Sequence, residues 1–452
     1  MHFISEKLFF MIIRTPSRVN IIGEHVDYSH FQVLPFAINR YFTAEVKKTE
    51  SNTIHITINN QTFDISLDDP NNLSNSPITC SKPNLASYAI CALKGIHHLQ
   101  SSPLTSSGLN VTCHSTIPIA SGLSSSSAIV VTFMLIFNYF FLSQPITDRM
   151  VLAELTRKAE QFCGTLSGGM DQAVILNAKR SHYSYISFSP LRCHSNLLPS
   201  CVKFIVAHSL EECHKAESKD LKYNLCVVEM RMACVFVAKF LNLDDIFEIL
   251  SLRDVFYAGE VYEASAMIEV LQSAIPQRPL SLLEISEMLN ISTDIIQSKI
   301  LKNAFATSTN PFDIYYKPFK RALHVVTEFQ RVMEFDHLSS LGGDNLNICT
   351  VLGKLLNQSQ DSLRDNYECS SPNIDLLLSV MLGHPSVLGG RLTGAGFGGN
   401  CIAMVKESDV DDVMDYVWKE FYLKRYVDPS QRNDLLFVAE SVDAAEVSFS
   451  DE

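Results

Sequence analysis

Hydrophobic and polar positions fall into two regimes along the chain. Up to about residue 200, short runs rich in β-branched and aromatic residues recur at 10–14, 41–48, 53–58 and 108–114 and predict strands. Helical patterns at 84–99, 125–142 and 148–163 are interspersed, and polar breaks such as Asn71-Asn-Leu-Ser-Asn-Ser-Pro77 punctuate the region. After Leu198 the balance changes. Val202–Ala207 reads as a strand, and helical patterns then occupy 222–242, 244–252, 257–272, 280–302 and 313–335, with a break at Gln277-Arg-Pro279. Further helices are expected at 349–368, 372–383 and 407–422, and strands at Asn400–Val405 and near 434–438. This mixture predicts an α+β protein of two lobes, 1–200 and 201–452, dividing near 198–202.

Length supports that division, since 452 residues exceed one ordinary core. Apolar residues make up 46% and charged residues 19%, the balance of a globular chain. A net charge of −13 disfavours nucleic acid and anionic membranes as partners, although a local pocket on an acidic protein can still hold phosphate. The twelve cysteines contain no C-x-x-C pair, so zinc spacing is absent, and their scatter fits a reduced, cytoplasmic chain. The apolar run Leu8–Ile13 has no small-residue cleavage site behind it and reads as a first strand. Residues 128–142 are apolar but hold Thr132 and Asn138, and the run is short of the ~20 residues that span a bilayer; a buried helix is the better reading.

Four polar or glycine-rich segments carry candidate chemistry. Arg18, Asn20, Glu24, His25 and Asp27 crowd the turn after the first strand; carboxylates and an imidazole suit a hydroxyl-rich ligand, and an arginine suits a phosphoryl or alkoxide oxygen. A solvated turn with an incidental ion pair is the plainer alternative. Gly122-Leu-Ser-Ser-Ser-Ser-Ala128 opens an apolar helix, where small residues let backbone N–H groups approach an anion; a serine-rich cap is the alternative. No G-K-[ST] follows, so this is not a Walker A loop. Glu160 and Asp171 flank Gly164-Thr-Leu-Ser-Gly-Gly-Met-Asp-Gln172 as candidate metal ligand and general base, or Asp171 is a helix cap. Finally, Gly394, Gly396, Gly398 and Gly399 precede a strand instead of following one, which excludes the dinucleotide fingerprint and leaves a cover over phosphates or sugar, or a tight turn.

Taken together and in this order, the four segments resemble the galactokinase branch of the GHMP kinase superfamily. Arg18-Val-Asn-Ile-Ile-Gly-Glu-His-Val-Asp-Tyr28, continued by Val33-Leu-Pro35, is similar to the galactokinase signature. Pro118 to Ala128 is similar to the superfamily phosphate loop, and Gly168–Gln172 and Leu392–Gly399 to the remaining blocks. Ser124–Ser127 and Ser167–Gln172 are nearest the N-acetylgalactosamine kinase subgroup. The resemblance implies an N-terminal lobe of the ribosomal-protein-S5-like type, an αβ C-terminal lobe and an active site between them. It implies phosphorylation of the anomeric 1-hydroxyl of N-acetylgalactosamine or galactose by ATP with Mg²⁺, in a cytoplasmic monomer. Arg18 and Asp171 would be the catalytic pair: Asp171 takes the hydroxyl proton or orients it, and Arg18 keeps Asp171 ionised. Glu24, His25, Asp27, Gly169 and Tyr223 would hold the sugar. Gly122, Leu123, Ser124, Ser125, Ser126 and Ser127 would wrap the ATP phosphates, and Ser126 and Glu160 would bind Mg²⁺.

Three positions depart from the branch. Ser17 stands where glycine is usual, and a positive φ there would strain a serine. Leu85 replaces a frequent tryptophan near adenine, and Cys226 a common basic residue. The stretch ahead of the first strand is also shorter than usual. These departures keep open a second reading, a non-catalytic sensor that binds sugar and ATP. The Glu24-His-Val-Asp-Tyr28 run argues against a third, a kinase of mevalonate or a similar small molecule.

Overall fold

A computed structural model describes residues 9–69, 84–99, 108–118, 122–164, 168–212, 223–244, 246–249, 251–302, 309–342 and 345–451. Leu8, the break at 71–77, Ile119–Ser121 and Ser167 lie outside the described residues. The strand-rich first region builds a six-stranded sheet in the order β12-β1-β2-β5-β3-β4, from β1 (Phe9–Asn20), β2 (Pro35–Lys48), β3 (Thr53–Ile58), β4 (Gln61–Ser66), β5 (Leu109–Ser115) and β12 (Glu446–Asp451). Only β3 and β5 run parallel. The sheet therefore takes its outer strand from the far end of the chain, a pairing that the local pattern of Glu446–Asp451 does not announce.

β1 is longer than its apolar core suggests. Pairing with β2 continues as far as Asn20↔Pro35, past a bulge between Pro16 and Ser17. A bulge is where a strand tolerates proline and turns its side chains to a new direction. Arg18 and Asn20 thus sit on the strand itself and not in the turn after it, and the expected strand 10–14 is its first half. The helix Ser125–Phe141 packs against β1 and β2. Its residues are apolar nearly all round, as a fully buried helix requires, and Phe133, Phe137 and Phe141 stack at successive four-residue steps, 5.8 and 5.3 Å between ring centres. Among the described residues no helix is long and apolar enough to cross a membrane.

A second sheet, β11-β8-β10-β9, is built from β8 (Val202–His208), β9 (Val387–Thr393), β10 (Asn400–Lys406) and β11 (Leu436–Val438). Alternate residues of β8 and β10 enter different cores. Phe204, Val206, Ile402 and Met404 join the large core shared with the first sheet, whereas Ile205, Ala207, Cys401, Ala403 and Val405 face the helices Pro372–Leu382 and Val410–Val417. Burial on both faces is why these strands read as unbroken apolar runs. A two-stranded hairpin, β6 (His182–Ser187) and β7 (Arg192–Leu197), completes the strands.

The helical region departs from its expected boundaries where caps intervene. Ser251 caps a helix at Leu252–Ala258, so the predicted helix 244–252 is replaced, over its described residues, by turns leading into that cap. The stretch 280–302 breaks after Leu289, where Asn290 takes a left-handed conformation. The long helix Pro318–Gly342 extends beyond the predicted 313–335 at its C-terminal end.

Candidate active site

Strand β1, the serine loop and the helix Met170–Asn177 converge on one ion pair. Arg18 donates through Nε to Asp171 Oδ1 at 2.6 Å and through Nη2 to Oδ2 at 2.9 Å, the bidentate geometry that orients both groups. Its remaining nitrogen Nη1 donates to the Gly122 carbonyl at 2.9 Å, which ties the pair to the phosphate-loop candidate. Asp171 also accepts from Ser124 at 2.7 Å and from Ser127 at 3.4 Å. Ser127 donates at 2.9 Å to Glu160, which accepts from Gln172 as well. The hydroxyls that meet the carboxylates are therefore those of Ser124 and Ser127; Ser125 and Ser126 are half-buried on the following turn. Ser124 reaches this position with φ +58, a left-handed conformation at the mouth of the helix Ser125–Phe141.

Ser17 is accommodated without strain. It lies in extended strand, and its hydroxyl donates to the Leu123 carbonyl at 2.6 Å, a tie to the loop that glycine cannot make. Leu85 starts the helix Leu85–His97 and is buried. Cys226 is buried beside Arg321, so a cation does stand next to it, supplied by another helix.

The sugar-signature residues form a second cluster beside the first. Glu24 accepts from the Gly394 N–H at 2.6 Å and from the Asn20 amide. Burial raises its pKa, opposed chiefly by Arg391 and then Arg18. Asp27 accepts from the Gly168 N–H at 3.0 Å. Burial, together with the charge of Asp171, pushes the Asp27 carboxyl up to about 6. That contact explains Gly168: a Cβ there would lie 2.4 Å from the Asp27 carbonyl carbon. Gly169 follows with φ +109, and its open face is filled by Arg157. His25, at φ +62, donates from Nε2 to the Ala395 carbonyl at 3.1 Å, and its ring stacks on Tyr367 with 4.2 Å between centres. Tyr28 is hydrogen-bonded to Tyr367, and the Tyr223 ring lies 5.8 Å from His25. The result is an aromatic cluster beside Asp27, a combination that suits the apolar face and hydroxyl rim of a sugar.

The last glycine-rich segment joins the two clusters. A Cβ on Gly394 would meet the Gly122 carbonyl at 2.4 Å, so the two loops touch backbone to backbone and only glycine fits. Gly394 and Ala395 meanwhile hold Glu24 and His25. A cavity of about 770 Å³ adjoins the site through Tyr28 and Gly168 but is lined beyond them by Leu155, Phe188 and Met230, away from Arg18 and Asp171.

The galactokinase of Dictyostelium discoideum is 31% identical over 440 residues, covering 93% of this chain and 86% of that relative. The chain belongs to the galactokinase family. The galactokinase of Saccharomyces cerevisiae is 29% identical, with 92% and 86% covered. Three family descriptions match in order along the chain: the galactokinase galactose-binding signature at 2–48, the GHMP kinases N terminal domain at 87–179 and the GHMP kinases C terminal domain at 350–423. The fold is shared with a Lactococcus lactis galactokinase crystallised with galactose, at a TM-score of 0.72 and 22% identity over 97% of this chain and 95% of that one. A mevalonate kinase aligns less closely, at 0.52. The two-lobed α+β GHMP kinase architecture expected from the sequence is thus the observed one.

Of the residues expected at the site, Arg18, Asp171, Glu160, Gly122, Ser124 and Ser127 meet in one cluster, and Glu24, His25, Asp27 and Tyr223 in the adjoining one, with Gly169 next to Gly168, the partner of Asp27; Ser125 and Ser126 lie on the following turn. Tyr367, Gln172 and the charges behind the sugar turn, Arg391, His324 and Glu328, are not among the expected site residues. Gln172 closes the third glycine-rich segment without a role of its own there, and the others lie in strand or helical segments with no local signal.

Proposed function

We propose that this galactokinase-family sugar kinase transfers the γ-phosphoryl group of ATP to the anomeric 1-hydroxyl of galactose, N-acetylgalactosamine or both, giving the sugar 1-phosphate and ADP. The observation that carries this reading is the bidentate Arg18–Asp171 pair, held between the serine loop on one side and the Glu24–Asp27 turn on the other. Asp171 is the group that accepts or orients the hydroxyl proton as the oxygen–phosphorus bond forms and the bond to ADP breaks. Arg18 sits where it supports the attacking oxygen. Glu24, His25, Asp27, Gly169 and Tyr223 hold the sugar, and Gly122 to Ser127 cradle the phosphates. In the same reading the lobes divide near residue 200, with β12 returned by the second lobe to the first sheet.

The donor set fits Mg²⁺, because Glu160, Asp171 and the neighbouring serines offer only oxygen. Glu160 with a hydroxyl from Ser126 or Ser127 would hold the ion, since magnesium is ordinarily bound by one or two carboxylates together with substrate phosphates. Bound there, it would neutralise charge on the phosphates.

The test is ATP consumption with Mg²⁺ against galactose, N-acetylgalactosamine, glucose and mevalonate. Turnover on either galacto-sugar establishes the reaction and its preference at the 2-position. Calorimetric binding of sugar and ATP without turnover on any acceptor would replace it with the sensor reading.

A further inference from the structure

The turn that carries Glu24, His25 and Asp27 has no secondary structure of its own between Asn20 and Asp27. Its backbone is held from behind by buried side chains of two other elements. The Gly23 N–H donates to Glu328 at 2.9 Å, and His324 Nε2 donates to the Glu24 carbonyl at 3.1 Å, both from the helix Pro318–Gly342. From β9, Arg391 Nη1 donates to the Ile21 carbonyl at 3.2 Å and the Asn20 carbonyl at 3.4 Å. The same guanidinium stands 3.6 Å from the Glu24 carboxylate and 3.8 Å from that of Glu328. Its side chain is 0% exposed, and Nε and Nη2 have no direct hydrogen-bond partner.

The charges around this arginine divide unequally. Glu328 already has Arg331 at 2.8 Å and Ser359 at 2.7 Å, and these with Arg391 hold its carboxyl near 2 against burial. His324 is pushed by burial down to about 4, so it is neutral at physiological pH. Glu24 faces Asp27 and the Cys369 thiol as well, neither of which helps its charge, and Arg18 is committed to Asp171. Arg391 is left as the cation that answers Glu24.

We propose that Arg391 is a positioning residue for the transfer reaction: by clamping the Glu24 carboxylate and the Asn20 and Ile21 carbonyls it sets sugar affinity without touching sugar. This rests on the reading of Glu24 as a sugar ligand. It also gives the Arg391–Gly399 segment two tasks, with Gly394 holding one oxygen of Glu24 and Arg391, three residues earlier on the strand, standing against the other. Lysine keeps the charge but not the planar fork that serves carbonyls and carboxylates at once.

Arg391→Lys is expected to raise the KM for sugar about tenfold, below the ~10²-fold that a full ångström of misplacement costs, with kcat changed far less. Arg391→Met leaves Glu24 without its cation, so the acid limb of kcat/KM should move to higher pH by about half a unit or more, while in Arg391→Lys it stays near wild type. Should the methionine variant fail to fold, the double variant Glu24→Gln, Arg391→Met removes both charges and is expected to fold, with weak sugar binding. A lowered melting temperature with unchanged sugar KM and unchanged acid limb would make Arg391 merely structural and overturn the proposal. Wild-type turnover on galactose or N-acetylgalactosamine is the control. Its absence overturns the proposed function and this inference together; its presence with an unaltered Arg391→Lys KM overturns this inference alone.

Discussion

Asp27 puts stability and function in opposition, and Asp27→Asn separates them. Burial, then the nearby Asp171 and Glu24 charges, lift its carboxyl from the ordinary 3.8 to about 6, although Gly168 and Arg18 work the other way. At about 1.36 kcal/mol per pH unit, holding the ionised form in the folded protein costs about 3 kcal/mol. That is a ceiling, because the residue keeps partial contact with solvent. The sign follows from where the proton sits. Below about pH 4 the carboxyl is protonated in both the folded and unfolded chain and contributes nothing. As pH rises from 4 through 6 the unfolded chain releases its proton first, so the folded state loses stability, and above 6 the full penalty applies. Asparagine carries no such penalty and can still accept the Gly168 N–H. Denaturant unfolding of wild type and Asp27→Asn at pH 4 to 8 should therefore show the variant more stable by up to about 3 kcal/mol at pH 8, with the gap closing toward pH 4. Sugar affinity should fall in parallel by ~10–100-fold, the weight of a charged hydrogen bond. In the wild type, kcat/KM should decline on the acid side as two carboxylates take up protons, Asp27 near 6 and Glu24, whose pKa burial also raises. A stability difference that is flat with pH, or a variant less stable than wild type at pH 8, would refute the electrostatic account of this turn.

Other substitutions probe neighbouring parts of the argument. Asp171→Asn is expected to lower kcat by ~10²–10⁴-fold while calorimetry still detects sugar and nucleotide, since asparagine keeps the shape but not the basicity. Ser17→Gly removes the hydroxyl bond to the Leu123 carbonyl; the melting curve should report a loss of about 1 kcal/mol, and the KM for ATP should rise a few-fold while that for sugar holds. Phe137→Ala, in the middle of the stacked ring series of a buried helix, should cost about 3–5 kcal/mol in denaturant unfolding and leave the residual folded enzyme with normal KM values.

What the sequence made legible was local chemistry; what it withheld was phase and pairing. Four glycine- and polar-rich segments stand out because their composition is locally strange, and each makes hydrogen bonds to another of the four. Arg18 was nevertheless read into a turn, because the apolar run stops at Arg14; the strand goes on only because β2 pairs with it past the Pro16–Ser17 bulge, a partner 15 or more positions away. β12 is harder still: Glu446–Asp451 alternates Val447 and Phe449 with polar residues, but nothing local says that its partner is β1 at the other end of the sequence. Glu328, His324 and Arg391 escaped notice for a related reason: a charged residue in a helix or strand looks like its solvent face until the fold shows what covers it. The serine run is the instructive contrast. Four consecutive serines look equivalent along the sequence, but a helical turn makes residues three apart share a face. Ser124 and Ser127 satisfy that spacing and both reach Asp171, whereas Ser125 and Ser126 fall on other sides of the turn. The sequence leaves that phase open until the helix start is known, and the left-handed Ser124 ahead of Ser125 supplies it.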